Sequence, residues 1–153
     1  TVTAGNASGV NDGAAFMVLA AADMAAKAGQ KPLARLVSYA VAGVPNHIMG
    51  EGPIPATKIA LQRAGLTLDK IDVIESNEAF AAQAIAVTKG LGLDPSKTNV
   101  NGGAVALGHP VGCTGAAIAT KAIHELHRTG GKYCLVTMCI GGGQGIAAIF
   151  ERL

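Results

Sequence analysis

The sequence has 153 residues, enough for one domain with a core of its own. Half of the residues are hydrophobic, 14% are charged and the mean hydropathy is +0.38, which excludes a disordered chain. Twelve basic against ten acidic side chains give a net charge of +2, scattered along the chain, so no basic stripe points to nucleic acid or to a membrane surface. Glycine fills 21 positions, aromatic residues are 3% and Trp is absent. The core is therefore expected from Ala, Val, Ile and Leu, with backbone packed close to backbone. The most apolar stretch, Ala14 to Ala26, is broken by Asp23 and is too short to span a bilayer. Three cysteines with no CxxC pair and no secretory signal predict a reducing, cytoplasmic compartment, with an organelle also compatible.

Thr1 to Gly13 is small and polar, with turn chemistry at Asn6-Ala7-Ser8-Gly9 and Asn11-Asp12-Gly13. It has no initiator Met and reads as a connector from a part that precedes it; residues 14–153 read as one domain. Ala14 to Ala20 is expected as a buried strand and Ala21 to Ala28 as a helix ended by Gly29. Leu33 to Val41 predicts a second strand, followed by a Gly/Pro-rich loop from Gly43 to Pro55. A helix over Ala56 to Ala64 is capped by Gly65, and Ile71 to Ser76 is the third strand. Asn77 suits an N-cap, and Glu78 a place in the first turn, of a helix running to Leu91 with Phe80, Ala84, Val87 and Leu91 on one stripe. A glycine-rich stretch from Asn99 to Gly112 leads into a helix over Thr114 to Arg128. Tyr133 to Cys139 and Ile146 to Arg152 are the last two strands, joined by a glycine turn. This alternation predicts an α/β fold: a five-stranded mixed sheet, mainly parallel, with helices on both faces and a closing hairpin.

The topology carries a geometric expectation. If the strands ending at Ser76 and Cys139 are parallel, their C-terminal ends share the sheet edge where open α/β sheets bind ligands. Asn77 lies there directly, and Cys139 begins its turn there. The helix from Thr114 runs antiparallel to the strand that follows it, so its N-terminus and His109 lie at the same edge. A cysteine near a histidine can act as base or nucleophile near neutral pH. The amides of Gly141, Gly142 and Gly143 can point at a developing oxyanion, and Asn77 can orient a water or donate to a carbonyl. The set suits acyl transfer or carbanion chemistry beside a carbonyl. Each residue taken singly also has a structural explanation: a small core cysteine, a solvated histidine, a helix cap, an irregular hairpin.

Other constellations carry less. His124 and His127 share a helix face, but nothing is placed to complete a metal site. Gly103 to Gly108 is followed by His109 where a P-loop needs Lys, and no GxGxxG opens a helix after a strand. His47 lies in a loop that can touch a ligand.

Five ordered motifs resemble the thiolase family. They are Thr3-Ala4-Gly5-Asn6-Ala7-Ser8-Gly9, Gly50-Glu51-Gly52-Pro53-Ile54-Pro55-Ala56, Asn77-Glu78-Ala79-Phe80-Ala81-Ala82-Gln83, Asn99-Val100-Asn101-Gly102-Gly103 with Gly108-His109-Pro110, and Cys139-Ile140-Gly141-Gly142-Gly143-Gln144-Gly145. Together they span the whole chain, and the sequence most resembles the acetyl-CoA acetyltransferase and β-ketothiolase branch. The resemblance implies the C-terminal half of an enzyme built from two similar halves, acting on acyl-CoA and CoA through an acyl-cysteine. It implies that the nucleophilic cysteine belongs to the first half, which this chain lacks. His109 would then activate that nucleophile and help form one oxyanion hole, and Asn77 would hold a water in the same hole. Cys139 would move the proton to and from the α-carbon or leaving group, and the Gly141 amide would join a second hole. Phe80 would line the pantetheine channel. No metal and no cofactor is implied beyond the CoA thioesters themselves, and a homo-oligomer is. Two other classes compete: a non-catalytic binding or dimerisation module that keeps the fold, and a related ketoacyl synthase. The latter typically uses a histidine pair, whereas here Cys139 takes the second position.

Overall fold

The computed structural model describes all 153 residues. Four strands form one sheet: β1 (Ala34–Gly43), β2 (Val73–Ser76), β3 (Tyr133–Ile140) and β4 (Gln144–Arg152). Their order is β1-β4-β3-β2. β2 and β3 are parallel, while β4 is antiparallel to both of its neighbours. The helices are α1 (Ala22–Lys27), α2 (Pro53–Ala64), α3 (Ala81–Leu91), α4 (Ala104–Leu107) and α5 (Thr114–Thr129), with short 3-10 turns at Asn46–Glu51 and Leu68–Lys70. None is long and apolar enough to cross a membrane.

Side-chain alternation divides the core in two. Ile74, Leu135, Ala147 and Ile149 point to one face of the sheet, where they pack with Ala56 and Ala60 of α2 and Val87 of α3. Val73, Cys134 and Val136 point to the other, against Ala119, Ala122, Ile123 and Leu126 of α5. Helices on both faces therefore follow from period-two strands meeting 3.6-period helices.

The sheet has four strands rather than five. Ala14 to Ala20 forms no strand, and Phe16 and Val18 are 91% and 99% exposed. Its apolar run matches a buried strand in composition, but a strand exists only where a neighbour completes its ladder, and no strand of this chain lies beside it. The helix after β2 also starts later than expected, at Ala81, with Phe80 at the N-cap position and no side-chain cap. Asn77 is not its cap. Residues 77–80 are held outside the helix by the N-terminal segment: Ser8 N–H donates to Ala79 O, Ala81 N–H to Asn6 O, and Ala7 bridges Phe80. Glu78 likewise lies outside that first turn. It accepts from Val105 N–H in α4 and from Asn99 Nδ2.

Two glycines explain how the closing hairpin meets α2. A Cβ on Gly145 would lie 2.0 Å from the carbonyl carbon of Gly52, and one on Gly52 would lie 2.5 Å from the Gly145 nitrogen. Backbone touches backbone here, so neither neighbour can yield. Gly145→Ala is expected to destabilise the fold by about 1–3 kcal/mol, the usual cost of forced overpacking. Gly141→Ala, with open space around its position, should stay within about 0.5 kcal/mol. Urea unfolding of the two variants side by side checks this; equal midpoints would contradict the close approach.

Candidate active site

β2 is finished by a side chain that imitates another strand. Asn99 has φ 50°, a left-handed conformation that asparagine tolerates better than most residues. From there its Oδ1 accepts from Ser76 N–H at 2.9 Å and its Nδ2 donates to Ser76 O at 2.8 Å. The next residue, Asn77, donates its backbone N–H to Thr137 O of β3. Asn77 is thereby fixed at the C-terminal edge of the parallel pair, 3% exposed. Its Nδ2 lies 3.5 Å from His109 Nε2.

His109 is held from three sides. Its backbone N–H donates to Gly9 O at 2.8 Å, its Nδ1 lies 2.7 Å from Thr114 Oγ1, and its Nε2 faces Asn77. Burial alone pushes its pKa below the usual imidazole value, with no charged neighbour contributing. The ring is therefore neutral at pH 7.

Cys139 reaches the same sheet edge on the strand beside Asn77. It pairs with Gly145, whose face is turned to the start of α2, so the Cys139 side chain shares that face. Asn77 and His109 thus touch each other, whereas Cys139 approaches across the edge with no hydrogen bond to either. Burial pushes its thiol upward. Cys134 points to the opposite face, into the α5 core, and burial drives it up to about 12. After Ile140 the chain turns through Gly141, Gly142 and Gly143, with φ 75° and 74° at the last two. Gly141 and Gly142 are exposed, and none of the three N–H groups donates to a backbone carbonyl. Phe80 is half-buried at the start of α3.

The loop that carries His109 is tied down by α5. Lys121 Nζ reaches Gly102 O and pairs at 2.8 Å with Glu75, which is 1% exposed. One turn on, Glu125 accepts from Asn101 Nδ2 at 2.9 Å and forms a two-bond pair with Arg128. Arg128 first and Asn101 second hold the Glu125 carboxyl at about 2. A cavity of about 190 Å³ lies behind Asn77, lined in part by Glu75, Asn99, Leu107, Thr114 and Lys121. Glu75 Oε1 and Asn77 Oδ1 are buried without a protein donor.

Thr114, Glu75, Lys121 and Glu125 support the site without having been singled out from the sequence, and Asn99 entered there only as part of a motif. A charge at Glu75 inside an apolar strand was the available signal, since it demands a partner. No three His, Cys, Asp or Glu side chains gather around His124 and His127, and His127 Nε2 lies 2.8 Å from Leu33 O.

The family model described as "Thiolase, C-terminal domain" matches residues 30–152. The chain belongs to the thiolase family. It is 67% identical over 153 residues to the beta-ketothiolase BktB of Cupriavidus necator, covering 100% of this chain and 39% of that protein. The crystal structure of the Bacillus anthracis acetyl-CoA acetyltransferase superimposes with a TM-score of 0.97 at 53% identity, over 99% of this chain and 39% of that one. The human mitochondrial 3-ketoacyl-CoA thiolase in complex with CoA gives a TM-score of 0.91 at 50% identity, again over 99% and 39%. The chain thus spans 39% of the length of these thiolases.

The lowered carboxyl of Glu125 has a pH consequence. A folded value of about 2 against an ordinary 4.5 gives stability that is present above pH 4.5 and lost as pH falls toward 2. Glu125→Gln is expected to flatten the dependence of the urea midpoint on pH across that window. A variant whose acid limb matches the wild type would show that Glu125 does not carry it.

Proposed function

We propose that this chain is the C-terminal catalytic half of a thiolase. It serves acyl transfer between an enzyme cysteine and CoA thioesters, by condensing acetyl-CoA or cleaving a 3-ketoacyl-CoA. The observation that carries the reading is the Asn77–His109 pair at the strand edge. A neutral imidazole beside an amide N–H, next to a buried thiol and free glycine amides, is a base, a donor set and a second proton carrier in one place.

Each residue has a distinct task on this reading. His109, neutral at pH 7, takes the proton of the acyl-accepting cysteine. Once protonated on Nε2 it donates, with a water held by Asn77 Nδ2, to a thioester oxygen. Cys139 rests as a thiol because burial raises its pKa. In acylation it gives its proton to the departing CoA thiolate, and the Cys139 thiolate left behind is, by the same burial, a stronger base for removal of an α-proton from acetyl-CoA. The Gly141 amide faces the oxyanion of the acyl-enzyme. Phe80 lines the pantetheine path. No metal ion or further cofactor enters any of these steps.

The acyl-carrying cysteine is supplied by an N-terminal half of the same enzyme. Three observations support such a partner. The chain spans 39% of the thiolases it matches. Phe16, Val18 and Leu19 are exposed beside the connector, and so are Leu36, Tyr39 and Val41 on β1. Near its start α5 leaves Gly115 exposed and Ala116, Ala117 and Ile118 half-buried. The complete enzyme is a cytoplasmic homo-oligomer on this reading.

In the complete enzyme His109→Ala and Cys139→Ala should each lower turnover about 10²–10⁴-fold, the range for a lost acid–base group. Cys139→Ala should still be acylated by acyl-CoA more readily than it condenses, which rapid-quench half-reactions would resolve. Full condensation by Cys139→Ala would remove that residue from the mechanism.

The 153-residue chain alone should not carry acyl groups. Cys134 is core and Cys139 is the base, which leaves Cys113, half-buried just before α5, as the only substitute nucleophile. Intact-mass spectrometry after incubation with acetyl-CoA is expected to show no adduct. Co-expression with the N-terminal half should place one on the other polypeptide and restore turnover. A stoichiometric adduct on Cys113 would overturn these roles.

A further inference from the structure

His109 has two ring nitrogens, and only one of its neutral tautomers leaves a lone pair where the thiolase reading needs it. The protein must choose between them, and the choice is legible in the hydrogen-bond arithmetic at Thr114. That residue opens α5 and is 3% exposed. Its hydroxyl lies 3.0 Å from Pro110 O and 2.7 Å from His109 Nδ1. A carbonyl oxygen can only accept, so the single hydroxyl proton goes to Pro110. Toward His109 the Thr114 oxygen then offers only a lone pair. The ring must meet it with Nδ1–H, which leaves Nε2 without a proton. The other side agrees: Asn77 Nδ2, 3.5 Å from Nε2, is a donor and needs an acceptor there.

We infer that Thr114 is the positioning residue that locks His109 in its Nδ1–H tautomer, with the Nε2 lone pair turned to Asn77 and the sheet edge. Two features make it a lock and not a relay. The hydroxyl accepts from Nδ1–H whether the ring is neutral or protonated, so gaining a proton on Nε2 moves nothing at Nδ1. And the hydroxyl is uncharged, so it orients the ring without stabilising imidazolium as a carboxylate there would. The β-branched side chain is held in few rotamers on a helix, and back-bonding to the carbonyl four residues earlier selects one of them.

The catalytic consequence rests on the thiolase reading, but the lock does not. The test uses the complete enzyme labelled with ¹⁵N in its histidines, with His109→Gln identifying the signal. At pH 8 the His109 signals should show a protonated Nδ1 and an unprotonated Nε2. Thr114→Val, nearly the same shape without the hydroxyl, should give a mixture of tautomers, and Thr114→Ser should restore the single one. In turnover, Thr114→Val should lose roughly 10²-fold in kcat with little change in KM, and Thr114→Ser should recover most of it. A wild-type ring protonated on Nε2, or an unaltered tautomer in Thr114→Val, would overturn the inference. Should Thr114→Val fail to fold, the wild-type and Thr114→Ser spectra still decide the tautomer. A mixed tautomer with undiminished kcat would leave the lock standing and overturn the role given to His109.

Discussion

The Glu75–Lys121 ion pair is buried between β2 and α5, and the placement of the site hangs on it. A carboxylate in the middle of a parallel strand is costly unless it is paired. Lys121 pairs it, and its ammonium also reaches Gly102 O, so one cation joins the strand, the helix and the loop. Glu125 repeats the device one turn along with Asn101. These contacts are needed because the stretch from Asn99 to Gly112 brings almost nothing to the core; Ala104 is its one buried apolar side chain. Polar bonds hold what apolar burial cannot. Glu78 completes the arrangement from below, accepting the Val105 amide of the short α4. His109 follows directly after that turn.

On the opposite face of the sheet, position is set by the absence of side chains. Gly52 and Gly145 let α2 start against the hairpin, and Gly143 accepts the Val44 amide at 2.7 Å through its carbonyl. The hairpin amides stay free because the loop between β3 and β4 is held from outside rather than by its own ladder. A hairpin closed by a tighter turn would spend those N–H groups on itself. Other glycines serve the same two ends: Gly50, Gly90 and Gly103 lie where a Cβ would collide, and Gly65, Gly92 and Gly130 close helices in the left-handed conformation.

Much of this was legible in the residues. From Leu33 onward the strand and helix order, the two-faced packing and the meeting of Asn77 with His109 followed from period and topology, because the one parallel pair, β2 with β3, fixes which ends share an edge; the sheet as a whole is mainly antiparallel, not mainly parallel, because β4 runs against both of its neighbours. The failures have physical reasons. Ala14 to Ala20 reads as a strand since composition reports burial and not the partner that permits it. Asn77 and Glu78 read as a cap and a first-turn acid since both types suit those places. Their side chains are instead claimed by residues far along the chain, His109 and Val105, and no local pattern encodes that. Thr114 was invisible for a related reason. A threonine at the start of a helix is ordinary, and only the distances to Nδ1 and to Pro110 O turn it into a constraint on the ring.

The placement of the reactive groups at the sheet edge has a mechanistic meaning on the thiolase reading. Asn77 lines a cavity with Thr114, Ala117 and Lys121 of α5, and Thr114 holds His109, while Cys139 pairs with Gly145, which meets the start of α2. A single substrate carbon can meet both His109 and Cys139 only if it lies above that edge. At that edge this chain presents the end of β2 and the free amides after Ile140. On that reading the acyl-bearing sulfur comes to this edge from the N-terminal half, where the imidazole can deprotonate it and the thiol can serve the incoming α-carbon.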